Sequence, residues 1–279
     1  MSARYPGYQG LTRAELLREM GLGRQWCLRA QASVESATQE ALGTPAADDR
    51  RQEGMAGAAA AASAVLQPPA NRAAAIAAMG WEQLQQSVTA CRACGLCQAR
   101  RQAVLGVGDV NADWLFIGEG PGAEEDARGE PFVGPAGQLL DAMLEAIDLR
   151  RGKNVYIANA VKCRPPGNRT PEAAEMATCA PYLQRQIALI RPRLIVLLGR
   201  AAAHSVLGET GSLASLRGKP FAYRGTDSAG AGIPVVVSYH PAYLLRTMSD
   251  KAKAWEDLCR ARALLRAAKS EEPAEPPSL

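Results

Sequence analysis

Cys91, Cys94 and Cys97 crowd into the stretch CRACGLC, while Cys163 and Cys179 stand far downstream in KCRPPGNR and MATCA. Thiols spaced by two residues suit one side of a metal centre, and the distant pair supplies the other. A centre that gathers both groups must staple the segment around residue 91 to the middle of the chain, whatever fold surrounds it. The local run imitates the start of a ferredoxin-type ligand series, but Arg101 stands where a fourth nearby cysteine would fall. Cys163 and Cys179 must therefore contribute, which leaves one of the remaining cysteines surplus. Zinc and an iron-sulfur cluster are both open on cysteine count alone. Cys27 and Cys259 read as buried, unligated thiols.

The total of seven cysteines is odd, and no secretory signal pattern is visible, so a disulfide framework is disfavoured. A soluble cytoplasmic protein working at the nucleoid is the expectation. Its 279 residues, 47% of them apolar, can bury one large core. Low aromatic content and heavy use of alanine favour a helix-rich α/β protein. A formal charge of +4 permits nucleic-acid binding without requiring it. Apolar runs such as RLIVLLG are too short to cross a bilayer.

Along the chain, Leu11 to about Arg29 reads as an amphipathic helix, with Thr12 and Glu15 as a capping box. The stretch that follows, rich in Ala, Gly, Gln and Pro, reads as a flexible tether. Residues 1–78 are thus an extension whose helix is a candidate partner-binding segment. A helix from Gly80 to Ala90 leads into the cysteines and opens the expected domain, 79–268; residues 269–279 form a polar, Pro-rich tail. Four strands are expected, at Asp113–Gly118, Val155–Asn159, Leu194–Leu198 and Val235–Ser238. Helices are expected near Gly137–Ile147, Glu172–Ile190, Ala201–Leu207 and Lys251–Ala267. That rhythm predicts a mainly parallel sheet covered on both faces. Ligands of such sheets bind beyond the carboxyl ends of the strands. The unusual residues fall there: GEGPG after the first strand, Asn159 ending the second, Gly199-Arg200 after the third, and Tyr239-His240-Pro241 after the fourth.

GEGPG frees backbone N–H groups in a tight turn, but Pro121 breaks a dinucleotide fingerprint and no Walker lysine follows. Of the two histidines, His204 sits in the helical run AAAHSVL and reads as structural, whereas His240 follows an apolar strand. A zinc deaminase signature of H-x-E followed by P-C-x-x-C is missing from the sequence.

The segments GEGPGAEEDARGEPFVGPAGQLLD, VYIANAVKCRPPGNR and SYHPAYLLR, with the four-cysteine pattern, closely resemble the family 4 uracil-DNA glycosylases, the iron-sulfur branch of that superfamily. The resemblance runs in unbroken order from about Cys91 to Ala267. It implies a three-layer α/β/α fold with a mainly parallel, four-stranded central sheet. The implied activity is extrusion of uracil from single- or double-stranded DNA and hydrolysis of its N-glycosidic bond, leaving an abasic site for base excision repair. The relatives that trap uracil covalently carry an inserted basic loop after the second strand, whereas this chain runs directly through KCRPPGNR.

By the same resemblance, Cys91, Cys94, Cys163 and Cys179 ligate a structural [4Fe-4S] cluster and Cys97 does not. Phe132 stacks on the base, and Asn159 reads O4 and N3–H. Glu125 crowds the C5 side against thymine's methyl, and His240 donates to O2 of the departing base. Glu119 lies beside the glycosidic bond, next to Gly120, where other uracil glycosylases place a water-activating aspartate. Leu244 is the expected wedge into the base stack. Lys162, Arg164, Arg169, Arg217, Lys219 and Arg246 are the candidate phosphate contacts, and a monomer is expected.

Overall fold

The computed structural model describes residues 70–225 and 232–270. The expected N-terminal helix with its capping box, Cys27, the tether up to residue 69 and the tail after residue 270 lie outside the described residues.

Strand β1 (Val107–Gly108) is followed by β2 (Trp114–Gly118), β3 (Val155–Asn159), β4 (Leu194–Leu198), β5 (Phe221–Tyr223) and β6 (Ile233–Ser238). The sheet order is β1-β3-β2-β4-β6-β5. The four inner strands are parallel, with Phe116 opposite Ile157 and Val196, and Val196 opposite Val236. Every residue of β2, β3 and β4 is buried, which is why they read as continuous apolar runs. The sheet has six strands, not four: β1 and β5 are antiparallel edges of two and three residues. Elements that short carry no periodicity for a sequence pattern to reveal.

Side chains alternate across the sheet and build two cores. Trp114 and Phe116 of β2 face α4 (Pro135–Glu145), α8 (Pro241–Arg246) and α9 (Lys251–Ser270), packing against Leu140, Leu144, Leu244, Trp255 and Leu258. Leu115 and Ile117 face α5 (Ala173–Ile190), α6 (Arg200–Leu207) and α7 (Leu213–Leu216), meeting Leu183, Ile187, Ala202 and Leu216. The short α3 (Ala123–Arg128) follows the Gly-rich turn of β2. A third cluster joins α1 (Ala70–Ala77) and α2 (Trp81–Ala90) to α5 through Ile76, Leu84, Val88, Met176 and Tyr182.

Helix α1 corrects the expected domain start at residue 79. Ile76 is buried, Arg72 Nη1 donates to Thr178 O at 2.8 Å, and Arg185 Nε donates to Met79 O at 2.6 Å. The packed body therefore includes residues 70–78. Its sequence, alanine-rich and short, gave the tether and the helix the same composition.

Candidate functional site

The carboxyl ends of the inner strands converge as the topology requires. Gly118 at the end of β2 pairs with Asn159 at the end of β3. A Cβ on Gly118 would lie 2.5 Å from both Asn159 Oδ1 and Phe132 Cζ, so glycine is what lets those two side chains close over the strand. The Phe132 ring then packs on the His240 ring, centroids 5.4 Å apart and planes at 28°. Phe132, Asn159 and His240, far apart in sequence, thus form one cluster at the carboxyl ends of the strands.

His240 caps the N-terminus of α8, its Nδ1 accepting from Ala242 N–H at 3.1 Å. The neutral ring therefore carries its proton on Nε2. Burial pushes the imidazole down to about 4, helped by the Arg246 charge and opposed by Glu125. Asn159 is buried, and its Oδ1 has no hydrogen-bond partner. A buried amide oxygen without a donor is unfavourable by about 1–3 kcal/mol, so it is an acceptor available at the strand end.

Glu119 is half-buried between the Thr170 hydroxyl and the Arg200 charge; burial lifts its carboxyl above the usual range, and those two neighbours pull it back. Gly120 lies against Val161, whose Cγ2 would be 2.8 Å from a Cβ there. Glu125 does more than sit beside the pocket. Its Oε2 accepts from Gly122 N at 3.0 Å, and its Oε1 accepts from Val133 N at 3.0 Å and Gly134 N at 3.3 Å.

Two of the expected DNA contacts are buried. Lys162 is 1% exposed and donates its Nζ to Asn159 O at 2.8 Å, so its ammonium faces inward and is closed to phosphate. Leu244 is 1% exposed in the core between α4 and α9, whereas its neighbour Leu245 is 42% exposed. The helical turn of α8 decides which leucine points out, and adjacent identical residues gave no sequence signal for it. Arg217 is likewise engaged, donating to both Asp257 oxygens at 2.7 and 3.0 Å and lying over the Tyr239 ring. Arg169 is exposed but holds Glu175 through two bonds of 2.9 and 2.7 Å, and Arg164 donates to Asn168. Arg246 and Lys219 are exposed.

Cys91, Cys94, Cys163 and Cys179 line one cavity with Arg72, Arg100, Lys162 and Tyr182; Cys97 is outside that lining. All four are free thiols. Arg100 Nη1 donates to Cys163 Sγ at 2.8 Å, and Arg72 Nη2 reaches Cys91 Sγ at 3.7 Å. Burial pushes the Cys163 thiol up to about 11 and the Cys179 thiol up to about 12. Left alone such thiols stay protonated, and a metal that binds them must expel the protons. Four soft donors ringed by three cations fit a thiolate-bound centre of net negative charge. Among the described residues, no three His, Cys, Asp or Glu side chains are gathered at the spacing of a single ion.

The sequence reading missed Arg72 and Arg100, and also Arg151, which donates to the carbonyls of Pro131 and Phe132. Arginines are common on surfaces, so nothing in their sequence context separated these from solvated charges. His204 remains in α6 and Cys259 packs at the margin of the first core. No helix among the described residues is long and apolar enough to cross a membrane.

Comparison with known proteins agrees with this layout. The family model of the uracil DNA glycosylase superfamily matches residues 105–259. A type-4 uracil-DNA glycosylase of Thermotoga maritima is 41% identical over 188 residues, covering 66% of this chain and 94% of that protein. One from Archaeoglobus fulgidus is 42% identical over 168 residues, covering 59% and 82%. A type-5 uracil-DNA glycosylase of Thermus thermophilus is 31% identical over 194 residues, covering 58% and 87%. With the strand-end residues Asn159 and His240 and the cysteines Cys163 and Cys179 inside the region matched by the family model, and relatives 41–42% identical over most of their own length, the chain belongs to the uracil DNA glycosylase superfamily, in its type-4 family.

Proposed function

We propose that this protein excises uracil from DNA as a monofunctional glycosylase, leaving an abasic site to open base excision repair. The observation that carries the reading is the convergence of an unpartnered Asn159 Oδ1 with the Phe132 and His240 rings at the carboxyl end of the sheet. Reaching the glycosidic bond requires extruding the nucleotide, at a cost of about a few kcal/mol of unstacking. Phe132 then receives the face of the base. Asn159 Oδ1 accepts from N3–H while its amide N–H donates to O4, a pattern that mismatches the amino edge of cytosine. Glu125 guards the C5 side against a methyl group.

As the glycosidic bond breaks, negative charge collects on the leaving base. His240, neutral at physiological pH, donates from Nε2 to O2 and stabilises that charge without first having to lose a proton. Glu119 supports the oxocarbenium-like sugar and orients the attacking water, and Gly120 beside it has no side chain to compete with Val161 for space. Leu245, the exposed leucine of α8, fills the gap in the stack, and Arg246, Lys219 and Arg169 meet phosphates at the rim, Arg169 only by sharing its charge with Glu175.

Cys91, Cys94, Cys163 and Cys179 hold a [4Fe-4S] cluster, which supplies no redox step to a hydrolysis and serves to pin α2 and the loop after β3 together. The domain spans residues 70–268, works as a monomer in the cytoplasm at the nucleoid, and carries residues 1–69 as an extension able to recruit a protein partner.

Purified protein incubated with single- and double-stranded uracil DNA should release free uracil and leave abasic sites. A stable protein–DNA band without free uracil would replace turnover by trapping. Removing residues 1–69 should leave excision intact; removing α1 as well should not, because Arg72 and Ile76 belong to the thiol-bearing body.

A further inference from the structure

Phe132 has a backbone φ of 55°, in the left-handed region that bulky residues rarely occupy. Among the described residues, the other non-glycine residues with positive φ are Asp148, Asn154, Asn168 and Arg191, three of them of the type that tolerates it. Such a conformation is unfavourable by about 1–3 kcal/mol and persists only where the surroundings over-determine it. Here the surroundings act from two sides. Arg151 takes the carbonyls before the kink, Nη1 donating to Pro131 O at 2.9 Å and Nη2 to Phe132 O at 2.8 Å, while its Nε is aimed by Asp141 Oδ1 at 3.0 Å. Glu125 takes the amides after it, those of Val133 and Gly134, and ties them through Gly122 to the GEGPG turn. Gly137, in the first turn of α4, leaves the room that the Phe132 carbonyl occupies.

We propose that Arg151 and Glu125 are positioning residues that clamp Phe132 in its left-handed conformation and so fix the plane against which the base and the His240 ring are aligned. Neither touches the reacting atoms in this scheme: Arg151 acts through Phe132 alone, and Glu125 does so in addition to guarding the C5 side of the base. The alignment half of the proposal rests on the reading of Phe132 as the stacking ring, while the clamp itself does not. The physical logic is that a strained residue has a steep local energy surface, so its ring is held to one tilt. A planar guanidinium that spends all three nitrogens on two carbonyls and one carboxylate is better suited to this than a point charge.

The chain contains three phenylalanines, Phe116, Phe132 and Phe221, so labelling with 4-fluorophenylalanine gives three fluorine resonances, that of Phe132 identified by its loss in F132A. In Arg151→Met the Phe132 resonance should shift or broaden while those of Phe116 and Phe221 stay. Its single-turnover excision rate should fall by about tenfold or more, since small misalignments are expensive in rate. The DNA concentration giving half-maximal rate should change by less than about twofold, because the Arg151 guanidinium is taken up by Asp141 and the carbonyls of Pro131 and Phe132. Arg151→Lys should recover part of the rate, and in the F132A background Arg151→Met should cause no further loss.

An unmoved Phe132 resonance, a parental rate in Arg151→Met alongside an impaired F132A, or an equal loss with and without the Phe132 ring would each overturn the proposal. If F132A excises at the parental rate while the Phe132 resonance still moves in Arg151→Met, the stacking reading falls and the clamp stands. Should Arg151→Met fail to accumulate with its visible chromophore, Arg151→Lys and Glu125→Gln carry the same fluorine measurement.

Discussion

Around the thiol cavity, polar groups are crowded with partners: Arg100 reaches Cys163 Sγ, Thr89 O and Cys91 O, and Arg72 reaches Thr178 O and stacks on Tyr182. In the pocket a few residues away the opposite holds, with Asn159 Oδ1 unpartnered, His240 pushed far below its usual range and Phe132 strained. The two regions share one short segment, Asn159 to Cys163, and Lys162 Nζ bridges them by donating to Asn159 O. On the proposed function, the contrast is that between a site for a permanent guest and a site for a transient one. A resident centre allows the protein to satisfy everything around it once, during folding. A base that arrives and leaves requires groups held ready and unsatisfied, with the penalty carried by the rest of the fold.

The largest expected effect tests the permanent side. Cys163→Ser or Cys179→Ser should lose the brown colour, drop iron from about four atoms per chain to near none, and reduce the yield of folded protein, whereas Cys97→Ser should keep all three. Equal iron in Cys97→Ser and Cys163→Ser preparations would dissolve the distinction between ligand and bystander. On the transient side, His240→Ala should lower the excision rate by about a hundred- to thousandfold with an unchanged melting temperature, as expected for one preorganised donor to a developing anion. Retained activity within about threefold would remove His240 from the chemistry.

Asn159→Ala should come next, at about 1–3 kcal/mol or roughly five- to 150-fold in kcat/KM, read against uracil and cytosine substrates together. The proposed donor is the neutral imidazole, held down to about 4 by burial, so His240 itself should add no change in rate from pH 8 down to about 5, and a fall in that range belongs to Glu119, whose carboxyl burial lifts above the usual range. A midpoint of the His240 ring itself near the ordinary histidine value of about 6.5 would show that the ring is not desolvated in the working enzyme. The smallest effect on chemistry sharpens the corrected wedge. Leu245→Ala should slow excision from double-stranded DNA only a few-fold and leave stability alone, while Leu244→Ala should destabilise the fold by about 2–5 kcal/mol. The reverse pattern would restore Leu244 as the inserted residue.

Much of this was legible in the sequence because strongly periodic segments and chemically rare residues announce themselves. The four inner strands run as unbroken apolar stretches, and Asn159 and His240 stand at or just past their ends, so topology alone predicts that they meet, while the spacing of the cysteines calls for a centre of their own. Edge strands of two and three residues, helix α1 in alanine-rich chain, and the outward turn of Leu245 rather than Leu244 left no comparable mark. Lys162 illustrates the limit well: among basic residues beside a DNA-reading motif it looks like a phosphate contact, and only its burial under the Asn159 carbonyl shows otherwise.

What the residues alone determined, then, was the parallel α/β frame, the strand-end chemistry and the need for a centre joining residue 91 to residues 163 and 179. What tertiary structure decided was which charges are free, which leucine faces outward, and how Arg151 and Glu125 close on Phe132. The reason is that apolar periodicity and cysteine spacing are local properties of a chain. The partner of a long, flexible arginine or glutamate is set by three-dimensional neighbours many residues away, and by which of them burial leaves without water.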